Sequence, residues 1–370
     1  MNFDLSDEQK MLAEQARGLL AERVPFDRLR KLIDADPFGG AEWDEPPWRE
    51  LAEMGFLGAR IPEEFGGLGL GDLDLGVISA ELGRVNAAVP FHSSIVMAAD
   101  AVLMAGSNSQ KREWLPKLAS GEVVGCFATS EGPGPLLGLG TRLADGKLTG
   151  TKTPVADAGV AQIAVVQVGQ GLALARLDQP GVTHIRLDSF DQLRAQYRLE
   201  FNAAEAEILP GANADVLQRL IDRGAVQAAF EAVGASEACL AMAREYAMDR
   251  QIFGRPLAGY QSIKHKLADL AVANELARSN AYYAGWAAES APDELPAAAA
   301  AARLTAIKAF EMAARENLQV HGGIGYTFEA NCHFYYRRER LLAVNMGNRG
   351  YWANRLLAHQ PGSQAKQGVA

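Results

Sequence analysis

The order of residue patterns predicts a mainly α-helical protein with a central β-domain. Three observations carry this. Helical periodicities broken by Gly and Pro clusters run to about residue 120, and short β-type runs separated by Gly, Asp and Pro follow from Val123. A proline-free, Ala- and Leu-rich stretch then opens at Ala214 and is followed by three more long helical runs. The expected organisation is a helical N-terminal domain over 1–120, an antiparallel β-barrel or sandwich over 121–212, a C-terminal four-helix bundle over 213–360 and a frayed tail over 361–370.

The first helix starts at a capping box, Ser6 with Gln9, in which hydroxyl and amide satisfy orphan backbone donors. Met11, Leu12, Ala16, Leu19 and Leu20 recur at helical spacing behind it. A loop rich in Asp, Pro and Gly covers Asp34 to Pro47, and helical patterns resume at Trp48–Met54, Leu73–Val85, Ser93–Ala105 and Ser109–Ala119. The β-type runs are Val123–Phe127, Ile163–Val168, Leu172–Leu177, Thr183–Leu187 and Tyr197–Phe201. Asp145-Gly146, flanked by Thr141–Ala144 and Lys147–Thr149, marks a hairpin whose turn needs positive φ at both central residues. The long helices are expected at Ala214–Asp249, Gln261–Ala288, Leu295–Val320 and Glu329–Ala358, with breaks at Gly254–Gly259, Ser290–Pro296 and Gly322–Gly325.

Composition narrows the function. The 370 residues hold 36 Lys+Arg against 45 Asp+Glu, a net charge of −9, with no basic block. Nucleic acid is not expected as a partner, since phosphate-backbone binding needs clustered cations. Cys126, Cys239 and Cys332 lie far apart with no Cys-x-x-Cys, which argues against a zinc ribbon or a disulfide framework. The acidic Met1–Gln9 start lacks a signal-peptide pattern and no run has about 18 apolar residues, so a cytoplasmic protein without a membrane span is expected. No Glu is followed three residues later by His, so no di-metal bundle site, and no metal, is expected. A Gly-x-Ser-x-Gly nucleophile elbow is also missing.

Two strings stand out. Arg250-Gln-Ile-Phe253-Gly254-Arg-Pro256, with Gln261 beyond it, closes one long helix and opens the next. It reads as a helix end, with Gly254 as C-cap, Arg250 complementing the dipole and Pro256 as a stop. Gln319-Val-His321-Gly322-Gly323-Ile-Gly325-Tyr326 places three glycines within four positions, which weakens a helix and lets backbone approach another group closely. Glycine amides and a forked guanidinium together also make a cradle for a diphosphate, so an anion site shared by the two strings stands beside the structural reading.

In order along nearly the whole chain, Ile61-Pro-Glu-Glu-Phe-Gly66-Gly67-Leu-Gly69, Ala128-Thr-Ser130-Glu131, Gly150-Thr-Lys152, Tyr246 through Arg250 to Phe253-Gly254, Gln261 with Lys266-Leu-Ala-Asp269, and Gln319 to Gly325 resemble the acyl-CoA dehydrogenase family. The resemblance implies that family's fold, an acyl-CoA substrate, flavin adenine dinucleotide (FAD) held between subunits, and an electron-transferring flavoprotein as electron acceptor. Arg250, Phe253 and Gln261 match residues that cover the adenosine diphosphate part of a neighbouring subunit's flavin, and Gln319, Gly322 and Gly323 match the glycine turn meeting the same region.

The resemblance fails elsewhere. Where the family has Gly-x-Lys-x-Trp-Ile-Thr against the flavin ring, this chain has Gly150-Thr-Lys152-Thr-Pro154-Val155-Ala156. The Glu-Pro-x-Ala-Gly-Ser-Asp string appears as Glu131-Gly-Pro-Gly-Pro-Leu136-Leu137, leaving Ser130 as a flavin hydrogen-bonding group or a plain strand-end hydroxyl. The family's catalytic Glu matches Met346 and its alternative position matches Gly224; neither accepts a proton. Glu231, two helical turns beyond Gly224, stands as a displaced base or as an interhelical ion pair. The resemblance therefore implies the non-catalytic type of subunit in a bacterial α2β2 heterotetramer, working with a second acyl-CoA dehydrogenase-type chain on fatty or steroid acyl-CoA. The alternatives are a homo-oligomeric enzyme using Glu231 and a flavin-free scaffold or regulatory paralogue.

Overall fold

The computed structural model describes residues 5–35 and 43–359. The tail expected at 361–370 and the middle of the loop expected from Asp34 to Pro47 lie outside the described residues. In chain order the helices are α1 (Asp7–Arg23), α2 (Phe26–Asp34), α3 (Glu45–Glu53), α4 (Asp72–Arg84), α5 (Asp100–Ala105), α6 (Asn108–Ala119), α7 (Ala214–Asp249), α8 (Gln261–Ser290), α9 (Leu295–His321), α10 (Cys332–Leu342) and α11 (Arg349–Ala358). The strands are β1 (Gly125–Ala128), β2 (Arg142–Ala144), β3 (Lys147–Ala156), β4 (Ile163–Val168), β5 (Gly171–Arg176), β6 (Val182–Leu187), β7 (Gln196–Glu205), β8 (Glu207–Ile208), β9 (Gln251–Ile252) and β10 (Arg255–Pro256). By internal packing the chain forms two units, one of Met1–Phe26, Gly76–Ala87 and Ala225–Ala370, the other of Asp27–Leu75 and Ala88–Gly224. The N-terminal helices expected as one domain are thus shared between the units.

The second unit holds two four-stranded sheets, ordered β1-β4-β5-β8 and β2-β3-β7-β6. Their pairings are antiparallel except β1 with β4, which run parallel from Gly125↔Ile163 to Ala128↔Val166. A parallel pair needs a long crossover, and here the crossover carries the hairpin of the other sheet. That hairpin turns at Asp145 (φ 49°) and Gly146 (φ 73°), as the Asp-Gly signal requires. Leu115 and Leu118 of α6 pack with Ile163, Val165 and Leu172 of the β1-β4-β5-β8 sheet and with Leu217 and Leu220 as the core of this unit. Helix was expected from Ser93, but residues Phe91–Ala99 are wound as a wider π-helix, all nine of them buried.

In the first unit, α7 to α11 make the predicted bundle, with one difference. The run expected as a single helix from Glu329 is two, α10 and α11, because Met346 (φ 57°) and Gly347 (φ 96°) turn the chain left-handed. Buried Arg303 of α9 spans this break, donating through Nη2 to the carbonyls of Leu342 and Asn345 (2.7 Å to the latter). Those carbonyls are left open where a helix stops, so the guanidinium acts as their cap. The end of α4 meets α7 backbone to backbone: a Cβ on Gly234 falls 1.8 Å from the Ala80 carbonyl oxygen, and one on Gly83 falls 2.0 Å from that of Glu231.

Gly234→Ala is therefore expected to cost about 1–3 kcal/mol of unfolding free energy, because the helices must separate. Gly323→Ala, at a position with nothing within 4 Å of an added Cβ, should shift it by less than about 0.5 kcal/mol. Chemical denaturation of both variants checks the contrast.

Candidate functional site

The first unit gathers the predicted binding residues around one small apolar cluster. Ala243, Ala247 and Val320 are its buried centre, with Tyr246, Leu257, Ala258, Ile263 and Leu267 packed against it. Tyr246 of α7 stacks on His321 at the end of α9, ring centroids 4.2 Å apart. The His321 Nδ1–H donates to the Asn317 carbonyl (2.8 Å), and burial pushes the imidazole's pKa down, so its Nε2 stays an acceptor. These contacts bring the end of α7, the start of α8 and the glycine turn to one end of the bundle.

Arg250 follows the last turn of α7, its N–H on the Tyr246 carbonyl (2.9 Å), and its own carbonyl accepts from Leu257 N–H (2.7 Å). Between these anchors, β9 and β10 form a two-residue hairpin with Ile252 opposite Arg255. Gly254 (φ 77°) is accordingly the second turn residue of a hairpin, and the C-cap reading of it is corrected. The first turn residue is Phe253, at φ 49° and 95% exposed. An aromatic side chain here is costly on both counts: its backbone is strained and its ring lies in water. Tyr260 closes the hairpin base by donating to the Ile252 carbonyl (2.8 Å) and stacking under the Arg255 guanidinium (3.8 Å). Gln261 opens α8 exposed, its amide on His265 Nε2 (2.9 Å). Gln319 is exposed on the last turn of α9.

The three turn glycines have different reasons. Gly322 has φ 66°, and Gly325 is crowded, since a Cβ there falls 2.6 Å from the Leu318 carbonyl oxygen. Gly323 has neither constraint: its φ is ordinary and no atom lies within 4 Å. Among the described residues nothing asks for glycine at 323. Bare backbone and an exposed ring on neighbouring elements leave room for a group from outside the chain.

In the second unit, Ser130 follows β1 and donates to the Gly132 carbonyl (3.2 Å), while its own carbonyl accepts from Thr153 N–H (2.8 Å). The loop beyond it is stapled at its mouth. The Glu131 carboxylate accepts from Gly140 N–H (2.7 Å), Thr141 N–H (2.8 Å) and Lys152 Nζ (2.8 Å), and Lys152 also donates to the Thr129 carbonyl (2.9 Å). Burial works to raise the Glu131 pKa, but the hydrogen bonds from Lys152, Thr141 and Gly140 outweigh it and hold it down at about 2. Burial of Lys152 pushes its ammonium pKa below the usual lysine value, with Glu131 opposing. This clamp went unread in the sequence, where Glu131 and Lys152 were only parts of two strings. A pairing across 21 positions leaves no local signal.

The candidate base positions hold no free carboxylate. Met346 is buried, with its carbonyl taking Trp352 Nε1–H (3.0 Å). The Gly224 carbonyl accepts from buried His92 Nε2 (3.0 Å). Glu231 lies in a buried ion pair with Arg338, 3.0 Å apart and both under 10% exposed. Tyr326, beside the glycine turn, is 72% exposed. Among the described residues no group of three or more His, Cys, Asp or Glu is placed to hold a metal ion, and no helix is long and apolar enough to cross a membrane.

Residues 6–122 match the model of the acyl-CoA dehydrogenase N-terminal domain, and residues 214–359 that of the C-terminal domain. The chain is 31% identical over 338 residues to the acyl-CoA dehydrogenase IpdE2 of Mycobacterium tuberculosis, covering 90% of this chain and 91% of that one. Among solved structures it is similar to a chain of the Tcur3481-Tcur3483 steroid ACAD (28% identity, TM-score 0.88, 98% and 99% of the two chains covered). It is also similar to a chain of the ChsE4-ChsE5 complex from Mycobacterium tuberculosis (25% identity, TM-score 0.89, 98% and 100% covered).

The clamp gives a pH signature. Glu131 titrates near 2 when folded and near 4.5 when unfolded, so its stabilisation is complete above pH 4.5 and fades as pH falls towards 2. Glu131→Gln is expected to cost about 2–3 kcal/mol at pH 7 and to flatten the loss of stability between pH 4.5 and 2. Denaturant titrations of both proteins across that window measure it.

Proposed function

Since the chain belongs to the acyl-CoA dehydrogenase family, we propose that it takes part in α,β-dehydrogenation of an acyl-CoA thioester as the subunit without the usual catalytic Glu. A second acyl-CoA dehydrogenase-type chain completes the assembly. The observation that carries this reading is a split in its equipment: an outward-facing set of candidate binding residues is intact, while none of the three candidate base positions, Met346, Gly224 and Glu231, offers a free carboxylate. Met346 and Gly224 occupy the two base positions, and Glu231 is held by Arg338. Removing an α-proton calls for an acceptor, which the second chain supplies.

The residues of the first unit fit FAD. FAD, when bound, supplies the oxidant that takes a hydride from the acyl β-carbon. Arg250 presents a charged fork for the diphosphate, and the bare backbone at Gly322 and Gly323 admits phosphate or ribose at close range. Phe253 offers an apolar face to an adenine ring and shields it from water. Gln261 and Gln319 bring amides that both donate and accept. In the second unit, Ser130 spends its hydroxyl proton on Gly132 and keeps acceptor capacity only.

Two similar structures are two-component assemblies by name, ChsE4-ChsE5 and Tcur3481-Tcur3483, the latter a steroid ACAD. They support a heteromeric enzyme and make bulky steroid-type acyl-CoA the substrate class to try first, with an electron-transferring flavoprotein as acceptor. A homo-oligomer using Glu231 fits less well, because a base must be free to take a proton and this carboxylate is committed to its buried pair with Arg338.

Arg250→Ala is the test. Losing a charge-assisted contact to a diphosphate costs about 2 kcal/mol, roughly a 30-fold loss of affinity. Flavin absorbance of the purified assembly should fall accordingly while its fold, by circular dichroism, is unchanged. Flavin content equal to wild type contradicts the assignment.

A further inference from the structure

The first unit contains a sulfur cluster that the flavin reading does not use. Cys239 and Met242 lie three residues apart on one face of α7. Cys332 at the start of α10 points its thiol at the Met242 thioether, Sγ to Sδ 3.9 Å. Asn317 of α9, fully buried, donates from Nδ2 to the same sulfur (3.3 Å) and also lies against the Cys239 thiol. Its Oδ1 has no hydrogen-bond partner. Cys239 and Cys332 are fully buried and unbridged. Cys332, Met242 and Asn317 thus meet at one spot, and Cys239 joins it through Asn317.

Sulfur separations of this size have a chemical meaning. Metal–sulfur bonds of about 2.3 Å place two sulfurs 3.9 Å apart when the angle at the metal is about 115°. For the Cys332–Met242 pair that angle is near the one a trigonal site requires. Thiolate and thioether together are soft, polarisable donors that select cuprous copper over the hard divalent cations. Hard ions prefer carboxylates; the donors of this cluster are thiol, thioether and amide, with the Glu339 carboxylate acting on Cys239 only through space.

We propose that Cys239, Met242 and Cys332 form a buried site for one soft monovalent cation of the cuprous class, backed by Asn317. Binding replaces the S–H bonds of Cys239 and Cys332 by S–Cu bonds and releases both protons to solvent, with no change of oxidation state. The site is separate from the outward-facing hairpin and glycine turn, so it stands or falls independently of the flavin reading.

The test is anaerobic titration of the full chain with cuprous ion supplied as its bicinchoninate complex, followed by X-ray absorption at the copper edge. One equivalent should transfer from the chelator and show sulfur neighbours at about 2.3 Å. Met242→Leu, a volume-conserving change that keeps the fold, should lower affinity at least about tenfold, and Cys332→Ser should abolish transfer. Cys126→Ala, in the other unit, should leave transfer intact. No transfer to the wild type, or transfer that survives both Met242→Leu and Cys332→Ser, overturns the proposal.

Discussion

A fully buried guanidinium demands a buried counter-charge, and in this bundle Arg338 finds it in Glu231. The pair ties α10 to α7, and Arg338 also reaches towards the Ala87 carbonyl at 3.4 Å. Removing Glu231 takes this buried counter-charge from Arg338, at a cost of about 3–5 kcal/mol. Structure and chemistry meet here. A carboxylate committed to holding helices together is a poor proton acceptor, which is why the role proposed for this chain is one other than removing the substrate's proton.

What it offers instead is on its outside. Folding alone explains Gly234, Gly83 and Gly325, each of which lies against a neighbouring backbone. It does not explain Gly323 in open space or Phe253 strained and in water. Such positions are costly or idle in the isolated chain, and their use lies with whatever they meet. In the second unit the opposite holds: Glu131 and Lys152 satisfy each other, and Ser130 donates to the Gly132 carbonyl in the loop they close. One unit is left open towards other groups, and this loop is closed on itself.

Features set by near neighbours were legible in the sequence. The Ser6–Gln9 box caps α1 as read, Asp145-Gly146 makes its hairpin, and the proline-free run at Ala214–Asp249 is one helix. The candidate binding residues could be placed because they sit on helix ends that punctuation residues mark. Long-range choices were not legible. Nothing local announces the parallel pairing of β1 with β4, and Gly254 sends the same signal as a helix cap or as a hairpin turn. The break between α10 and α11 is stabilised by Arg303, some 40 residues away in sequence, and Glu231 meets its arginine 107 positions on. Such partners are chosen by packing, which composition and spacing do not encode.

The central claim is that this chain supplies half of a flavin site and no base. Its most direct measurement is flavin absorbance per polypeptide, taken on this chain purified alone and together with an acyl-CoA dehydrogenase-type chain that carries the Glu and the Trp-Ile-Thr string. The account predicts colourless protein alone and one bound flavin per pair of unlike chains. A full equivalent of flavin on this chain alone, reduced on adding an acyl-CoA, would contradict it.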